Sequence, residues 1–116
     1  MARQTLTKTT VPGPNPTAGA AVTMTAADTT NKEQFAVSDG DVILVQNTGG
    51  STYTYTVKSV ADPIYGRTGD VNAVSIAAGA IHAVRVGVEG WRQTDGYVYL
   101  EANNAAVKWG ILTGLR

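Results

Sequence analysis

Apolar and polar residues alternate in short segments along most of the chain after residue 20, with glycine-rich or polar connections between them. The clearest case is segment 51–60, in which Tyr53, Tyr55 and Val57 share one face and threonines occupy the other. A period of two residues is typical of a β-strand with one buried face. Segment 41–46 is a continuous apolar run instead, which predicts a strand covered on both faces. We expect these two segments to form a β-hairpin through the connection 47–50.

The alternation and the turn signals together predict eight strands and no helix. They are expected at residues 21–26, 34–37, 41–46, 51–60, 73–76, 80–88, 97–102 and 106–112. Short strands with turn signals every 8 to 12 residues are typical of a sandwich or barrel. We therefore predict an all-β protein whose body, residues 21–116, is a small antiparallel β-sandwich of the jelly-roll type. The last two strands are expected to pair through residues 103–105, with Val84, Val86, Val107, Trp109 and Ile111 in the core.

Composition supports this fold class and narrows the set of partners. Sixteen threonines and fourteen valines, against one phenylalanine, favour pleated sheets over helices. A length of 116 residues predicts one domain. The nine basic residues are scattered and balanced by nine acidic ones, so we do not expect nucleic-acid binding. No apolar run approaches the length of a membrane span, and the N-terminus lacks a secretory signal, so we expect no membrane partner.

The first twenty residues differ from the body and predict an extended N-terminal arm. Residues 1–10 are rich in threonine, and three prolines fall between positions 12 and 16. Proline removes an amide donor and favours extended backbone before it. The arm shows no apolar periodicity that would dock it on its own core, so we expect a partner surface to accept it by strand addition, with Leu6 and Val11 in small pockets. A disordered tail is the alternative that its composition allows.

Residues for catalysis are scarce. His82 is the only histidine, and none of the four serines lies in a Gly-x-Ser-x-Gly setting. The position of His82 within a predicted strand favours a structural role for this residue. Asp39 and Asp41 around Gly40 indicate a turn better than a calcium loop, and Gly66-x-x-Gly69 is a weak phosphate signal. We expect no enzyme activity, cofactor or metal. Exposed aromatic residues offer a carbohydrate-binding alternative, with Trp91, Tyr65, Tyr97 and Tyr99 as the candidate platform.

Three stretches of the chain resemble the small capsid decoration, or cement, proteins of tailed bacteriophages. They are TLTKTTVPGPNPTAG at 5–19, VADPIYGRTGDV at 60–71 and GWRQTDGYVYLEA at 90–102. The resemblance implies a virion protein, made in the host cytoplasm, that binds the major capsid protein on the outer capsid surface and associates around threefold or quasi-threefold positions. It implies no catalytic residues. It assigns capsid binding to the arm residues Thr5, Leu6, Thr7, Lys8, Val11, Pro12, Pro14 and Pro16.

Two loops are further candidates for contact with a partner. Residues 61–72 are punctuated by proline and glycine, as shaped surface loops often are, and residues 89–96 carry Trp91. The candidate interface residues in these loops are Asp62, Tyr65, Arg67, Asp70, Trp91 and Arg92. A neck or tail component of the virion remains an alternative to a decoration protein, and the two differ mainly in copy number.

Overall fold

The computed structural model describes residues 3–13, 18–38, 40–61, 64–67 and 69–114, and these contain ten strands and no helix. The predicted all-β fold is therefore confirmed, and each of the eight predicted strands has a counterpart. The strands are β1 (Gln4–Thr5), β2 (Lys8–Thr10), β3 (Thr25–Ala26), β4 (Glu33–Ala36), β5 (Val42–Asn47), β6 (Tyr53–Val57), β7 (Val71–Ile76), β8 (Ile81–Arg85), β9 (Tyr97–Ala102) and β10 (Val107–Thr113).

The strands form two sheets that pack face to face as a sandwich. Sheet 1 has the order β1-β4-β9-β6-β7, and sheet 2 has the order β2-β10-β5-β8, with β3 also paired to β10. The body pairs are nested and antiparallel: β3 with β10, β4 with β9, β5 with β8 and β6 with β7. Strands close to the middle of the chain therefore pair with each other, and the outer strands of the body pair around them.

The sheets are mixed, whereas the sequence predicted antiparallel ones. β1 pairs with β4 in parallel, and β2 pairs with β10 in parallel. Both parallel pairs involve the N-terminal arm, whose strands β1 and β2 each lie at one edge of a sheet. Parallel pairing is therefore confined to the arm, and the described strand pairs of the body are antiparallel as predicted.

Alternate side chains of the central strands fill the space between the sheets. Trp109 and Phe35 are the largest fully buried residues. The predicted core residues Val107, Trp109, Ile111 and Val86 are buried, and Val84 packs against them half-buried. On β6, Tyr55 and Val57 point inward as the alternation predicted. The period of two thus identified the inward faces correctly.

The predicted hairpin between segments 41–46 and 51–60 is wrong. β5 pairs with β10 and β8 in sheet 2, whereas β6 pairs with β7 and β9 in sheet 1. Asn47 directs the crossing between sheets, because its buried amide donates to the carbonyls of Ser51 (2.7 Å) and Ile76 (2.9 Å) and accepts from the Gly49 amide. A Cβ atom at Gly49 would lie 2.8 Å from the Tyr53 ring, so the crossing also requires a glycine there.

The predicted pairing of segments 97–102 and 106–112 is wrong for the same reason. β9 lies in sheet 1 and β10 in sheet 2, so the short connection between them again crosses the sandwich. The apolar run in β5 is also not covered equally on both faces. Ile43 and Val45 are fully buried, whereas Val42 and Leu44 on the outer face are half-buried.

The arm docks on its own body, contrary to the expectation that it lacks a surface there. It crosses from the edge of sheet 1 to the edge of sheet 2, and Leu6 between β1 and β2 is 5% exposed and belongs to the core. The amide of Leu6 donates to the Gln34 carbonyl, and that of Val11 donates to the Thr113 carbonyl. Residues 3–11 therefore close one side of the sandwich.

Candidate interaction surfaces

The two predicted interface loops lie side by side at one end of the sandwich. The Val60 amide donates to the Gly90 carbonyl at 2.7 Å, and the Gln93 side chain donates to the Ser59 carbonyl at 3.3 Å. One loop follows β6 and the other precedes β9, and these strands are neighbours in sheet 1. The fold thus combines segments that are about 30 residues apart in sequence into one surface, here called the loop end.

Asp70 fixes the base of the first loop. Its carboxylate accepts hydrogen bonds from the Ser59 amide (2.7 Å) and hydroxyl (2.9 Å), and Lys58 lies 3.6 Å away. The Gly69 amide in turn donates to the Ser59 hydroxyl. These hydrogen bonds, with Lys58, hold the pKa of Asp70 below its ordinary value. Asp70 therefore shapes the loop and is half-buried, so its carboxylate is not an exposed contact group.

The tip of the same loop presents two large apolar side chains to solvent. Ile64 is 78% exposed and Tyr65 is 71% exposed. The Arg67 guanidinium lies 5.2 Å from the centre of the Tyr65 ring, within the range of a cation–π contact. Asp62, the other candidate in this loop, lies outside the described residues. The tip therefore offers an apolar surface with a cation beside it.

The second loop contributes less exposed surface than the sequence suggested. Trp91 is half-buried and packs against the core, so its ring anchors the loop. Arg92 is exposed, and its amide donates to the Val88 carbonyl at 3.1 Å. Arg92 is thus the candidate of this loop that is available for contact.

Ionic and polar side chains attach the arm to the body. Lys8 places its ammonium 2.9 Å from the fully buried Asp41 carboxylate and 3.0 Å from the Ser38 hydroxyl. The Thr5 hydroxyl accepts a hydrogen bond from Gln34 at 3.1 Å. Thr7 and Pro12 are exposed and Val11 is half-buried, while Pro14 and Pro16 lie outside the described residues. Leu6 and Lys8, both expected to contact a partner, instead contact the chain's own body.

Sequence reasoning missed Arg3, which makes the most extensive contacts of the arm. Its guanidinium donates to the carbonyls of Glu33 and Leu100, pairs with Glu101 at 3.1 Å and lies 4.1 Å from the centre of the Tyr99 ring. The first ten residues contain two basic side chains and no acid. That local imbalance was the one available signal that the arm needs acidic partners.

Glu33 is a second feature that the sequence did not reveal. This carboxylate is fully buried, accepts a hydrogen bond from the Asp28 amide and contacts Gln4 of the arm at 3.4 Å. The pKa of Glu33 is raised above its ordinary value because burial is the strongest influence on it. Hydrogen bonds from the Asp28 amide and the Trp109 indole oppose this shift. Glu33 Oε1 and Trp109 Nε1 nevertheless have no partner of ordinary hydrogen-bond geometry among the described residues. The side chain is therefore an incompletely compensated acid beside the core.

Three of the four aromatic candidates for a sugar platform are half-buried. Tyr99 is covered by Arg3 and donates to Asp95, and both Tyr97 and Trp91 are half-buried, which leaves Tyr65 as the exposed ring of the four. His82 lies 2.9 Å from the Tyr55 hydroxyl, and the Tyr55 ring also meets Trp109 edge to face. These contacts connect β6 of sheet 1 with β8 and β10 of sheet 2. They agree with a structural role for His82.

An apolar hollow of about 300 Å³ lies where the arm leaves sheet 2. Its lining residues are Thr9, Val11, Pro12, Gly19, Ala20, Val22 and Leu112. Within the described ranges there is no group of three or more residues suited to hold a metal ion. No helix in that part of the chain has the length and apolarity to cross a membrane.

Comparisons with known proteins found no matching family model, no similar curated protein and no similar solved structure.

Proposed function

We propose that this chain is a structural protein that binds the outer surface of a phage capsid and stabilises the shell as a decoration protein. The observation that supports this proposal best is the loop end, where Ile64 and Tyr65 stand 78% and 71% exposed on a loop whose base Asp70 holds in shape. Exposed apolar side chains on a preorganised loop are a feature of protein-binding surfaces. The resemblance of three stretches to capsid decoration proteins supplies the identity of the partner.

This proposal transfers the main contact from the arm to the loop end. Because Leu6 and Lys8 are engaged with the body, the arm would first have to release them before it could grip a partner. Contact through the loop tip needs no such release from the core, since Tyr65 is 71% exposed. Repetition of this contact over a shell would then add many weak interactions into a stable coat.

The test measures binding of the purified protein to capsid shells that lack it, by co-sedimentation. We expect Tyr65→Ala and Arg67→Ala each to weaken binding by about tenfold or more, as for central contact residues. Their melting temperatures should stay close to wild type because both side chains are exposed. Thr52→Ala, an exposed change at the opposite end of the sandwich, is the control and should bind normally.

Three outcomes would contradict the proposal. Failure of the wild-type protein to bind shells would exclude a decoration role, and binding of glycans that Tyr65→Ala abolishes would favour a carbohydrate-binding protein. Copy number decides between the virion roles, because a coat repeats over the whole lattice whereas a neck or tail component does not. Quantitative mass spectrometry of particles should therefore find the chain in numbers comparable with the shell protein, and far fewer copies would be the third contradicting outcome.

A further inference from the structure

The first strand of the arm lies directly beside the buried carboxylate of Glu33. Gln4 in β1 is the strand partner of Glu33 in β4, so the two side chains point to the same side of sheet 1. The Gln4 side-chain amide donates to the Glu33 carboxylate at 3.4 Å and to the Ala26 carbonyl of β3 in sheet 2 at 3.3 Å. Gln4 thus bridges the two sheets at the point where Glu33 is buried. Docking of β1 and burial of Glu33 are therefore parts of one arrangement.

The residues that precede β4 compensate a negative charge on Glu33 only in part. The Asp28 main-chain amide donates to Glu33 Oε2, but the Asp28 carboxylate repels the same charge, while the neighbouring Lys32 attracts it. Glu33 Oε1 is buried and has no partner of ordinary geometry among the described residues, and the same is true of Asn31 Oδ1. An ionised carboxylate in this position is therefore costly for the docked state.

The other elements packed against Glu33 add no counter-charge. From β9 and β10 it is faced by Leu100 and Trp109, and neither of these side chains ionises. The Arg3 guanidinium of the arm donates to the main-chain carbonyl of Glu33 and forms its ion pair with Glu101. None of the three ion pairs among the described residues reaches the Glu33 carboxylate. The arm therefore encloses this acid without neutralising it.

We infer that the arm is a pH-responsive strap, which docks most firmly on sheet 1 while Glu33 is neutral and loosens when Glu33 ionises. A proton can shift an equilibrium between two conformations only if it binds one of them more tightly. Glu33 meets this condition, because the docked arm encloses its carboxyl, whereas departure of Gln4 would open it to water. This behaviour belongs to the chain itself and does not require the proposed function.

Loosening of the arm would expose two features that are covered when it is docked. One is the edge of β4, which pairs with β1 in the docked state. The other is Leu6, which is 5% exposed in the docked state and is the residue expected from the sequence to enter a pocket on a partner. The strap would thus control access to an edge strand and to an apolar anchor.

The direction of the pH effect follows from the pKa of Glu33. Burial raises this pKa in the docked state above its ordinary value of 4.5, to which it returns when the carboxyl is hydrated. The stabilisation of the docked arm is therefore complete below pH 4.5 and is lost as the pH rises through the docked pKa. In that interval one proton changes the ratio of loosened to docked arm by up to about tenfold per pH unit.

The test follows hydrogen exchange of the Leu6 amide, which donates to the Gln34 carbonyl when the arm is docked. After correction for intrinsic exchange, the Leu6 protection factor should fall in wild type as the pH rises above 4.5 and should stay constant in Glu33→Gln. Glu89→Gln makes the same change at an exposed position and should keep the wild-type profile. Amides of the central strand β5, measured in the same samples, report opening of the whole sandwich.

Three results would overturn the inference. A wild-type Leu6 protection factor that does not change with pH would show that ionisation of Glu33 does not reach the arm. Equal changes at Leu6 and in β5 would show that Glu33 acts on the whole fold and not on the arm. The same decrease in Glu33→Gln would assign the pH dependence to another group. None of these results concerns shell binding, so the proposed function is tested separately by co-sedimentation.

Discussion

Two fully buried carboxylates, Glu33 and Asp41, show how differently one chain can compensate for buried charge. Asp41 has the Lys8 ammonium at 2.9 Å and the Ser38 amide as a second donor. Glu33 has neutral donors only, from Asp28 and Gln4. A buried charge without a counter-ion destabilises the fold unless it is protonated. Because burial disfavours the charged form of Glu33 more than its neutral donors favour it, the pKa of Glu33 is raised.

The first prediction concerns the stability of the Glu33→Gln variant as a function of pH. A group whose folded pKa is raised stabilises the fold below its ordinary pKa, here 4.5, and this contribution is lost as the pH rises through the folded pKa. The unfolding free energy of the variant relative to wild type should therefore increase with pH above 4.5. Denaturant unfolding at a series of pH values measures this difference.

The exposed Glu89 provides a matched control, because Glu89→Gln makes the same chemical change outside the core. Its stability relative to wild type should not follow the profile of Glu33→Gln. A difference for Glu33→Gln that stays flat or falls with rising pH would show that the buried carboxylate is fully compensated in solution.

At the scale of elements, single polar side chains with several hydrogen bonds to the main chain shape the connections of this sandwich. Asn47 directs the crossing from β5 to β6, and Asp70 with Ser59 shapes the loop between β6 and β7. In each case a side chain accepts or donates several main-chain hydrogen bonds that no neighbouring strand can supply. The position of the exposed tip at Tyr65 therefore depends on the hydrogen bonds between Asp70 and Ser59 at the base of the loop.

The second prediction concerns Asp70→Asn and the order of the loop end. Since the pKa of Asp70 is lowered, its contribution is present above the ordinary pKa of an aspartate and is lost as the pH falls through the folded pKa. At neutral pH the variant should lose about 1 kcal/mol of stability, as for a charge-assisted hydrogen bond. Amide hydrogen exchange at Ser59 and Gly69 should be faster than in wild type, and the difference should diminish in acid.

Asp95→Asn is the control for this measurement, because Asp95 accepts from the Tyr97 amide and the Tyr99 hydroxyl in the neighbouring turn. It should leave the exchange of the Gly69 amide unchanged. If both variants change the hydrogen exchange of the Gly69 amide equally, the loop end responds as a whole and the hydrogen bonds of Asp70 have no specific effect on it.

For the whole molecule, the arm closes the sandwich. β1 and β2 are only two and three residues long, yet they cover one edge of each sheet, and Leu6 between them joins the core. On the other side, the turn between β7 and β8 connects the sheets. Covered edges are protected from pairing with the strands of other chains.

The third prediction tests this closure with Leu6→Ala. Removal of a buried leucine side chain should cost about 2 kcal/mol or more of unfolding free energy. Thr7→Ala, at the neighbouring exposed position, should change stability by less than about 0.5 kcal/mol. Equal, small losses in both variants would show that the arm is detached in solution, and would restore the expectation that it grips a partner.

The sequence by itself determined where the eight strands of the body lie and which of their faces point inward. A strand's alternation is a local property, because successive side chains point to opposite faces whatever the strand pairs with. Tyr55 and Trp109 could therefore be assigned to the core correctly. The same reasoning located the loops, since glycine and proline act through their own backbone angles.

Only the tertiary structure decided which strands pair and what the charged residues do. Alternation is the same in a hairpin and in a strand that crosses to the other sheet, so β5 and β6 could not be separated from their sequence. Leu6 and Glu33 each depend on contacts with residues distant in sequence, and no local pattern records such contacts. The reason is that pairing and burial are set by the free energy of the whole packed arrangement, whereas periodicity reports only the conformation of one segment.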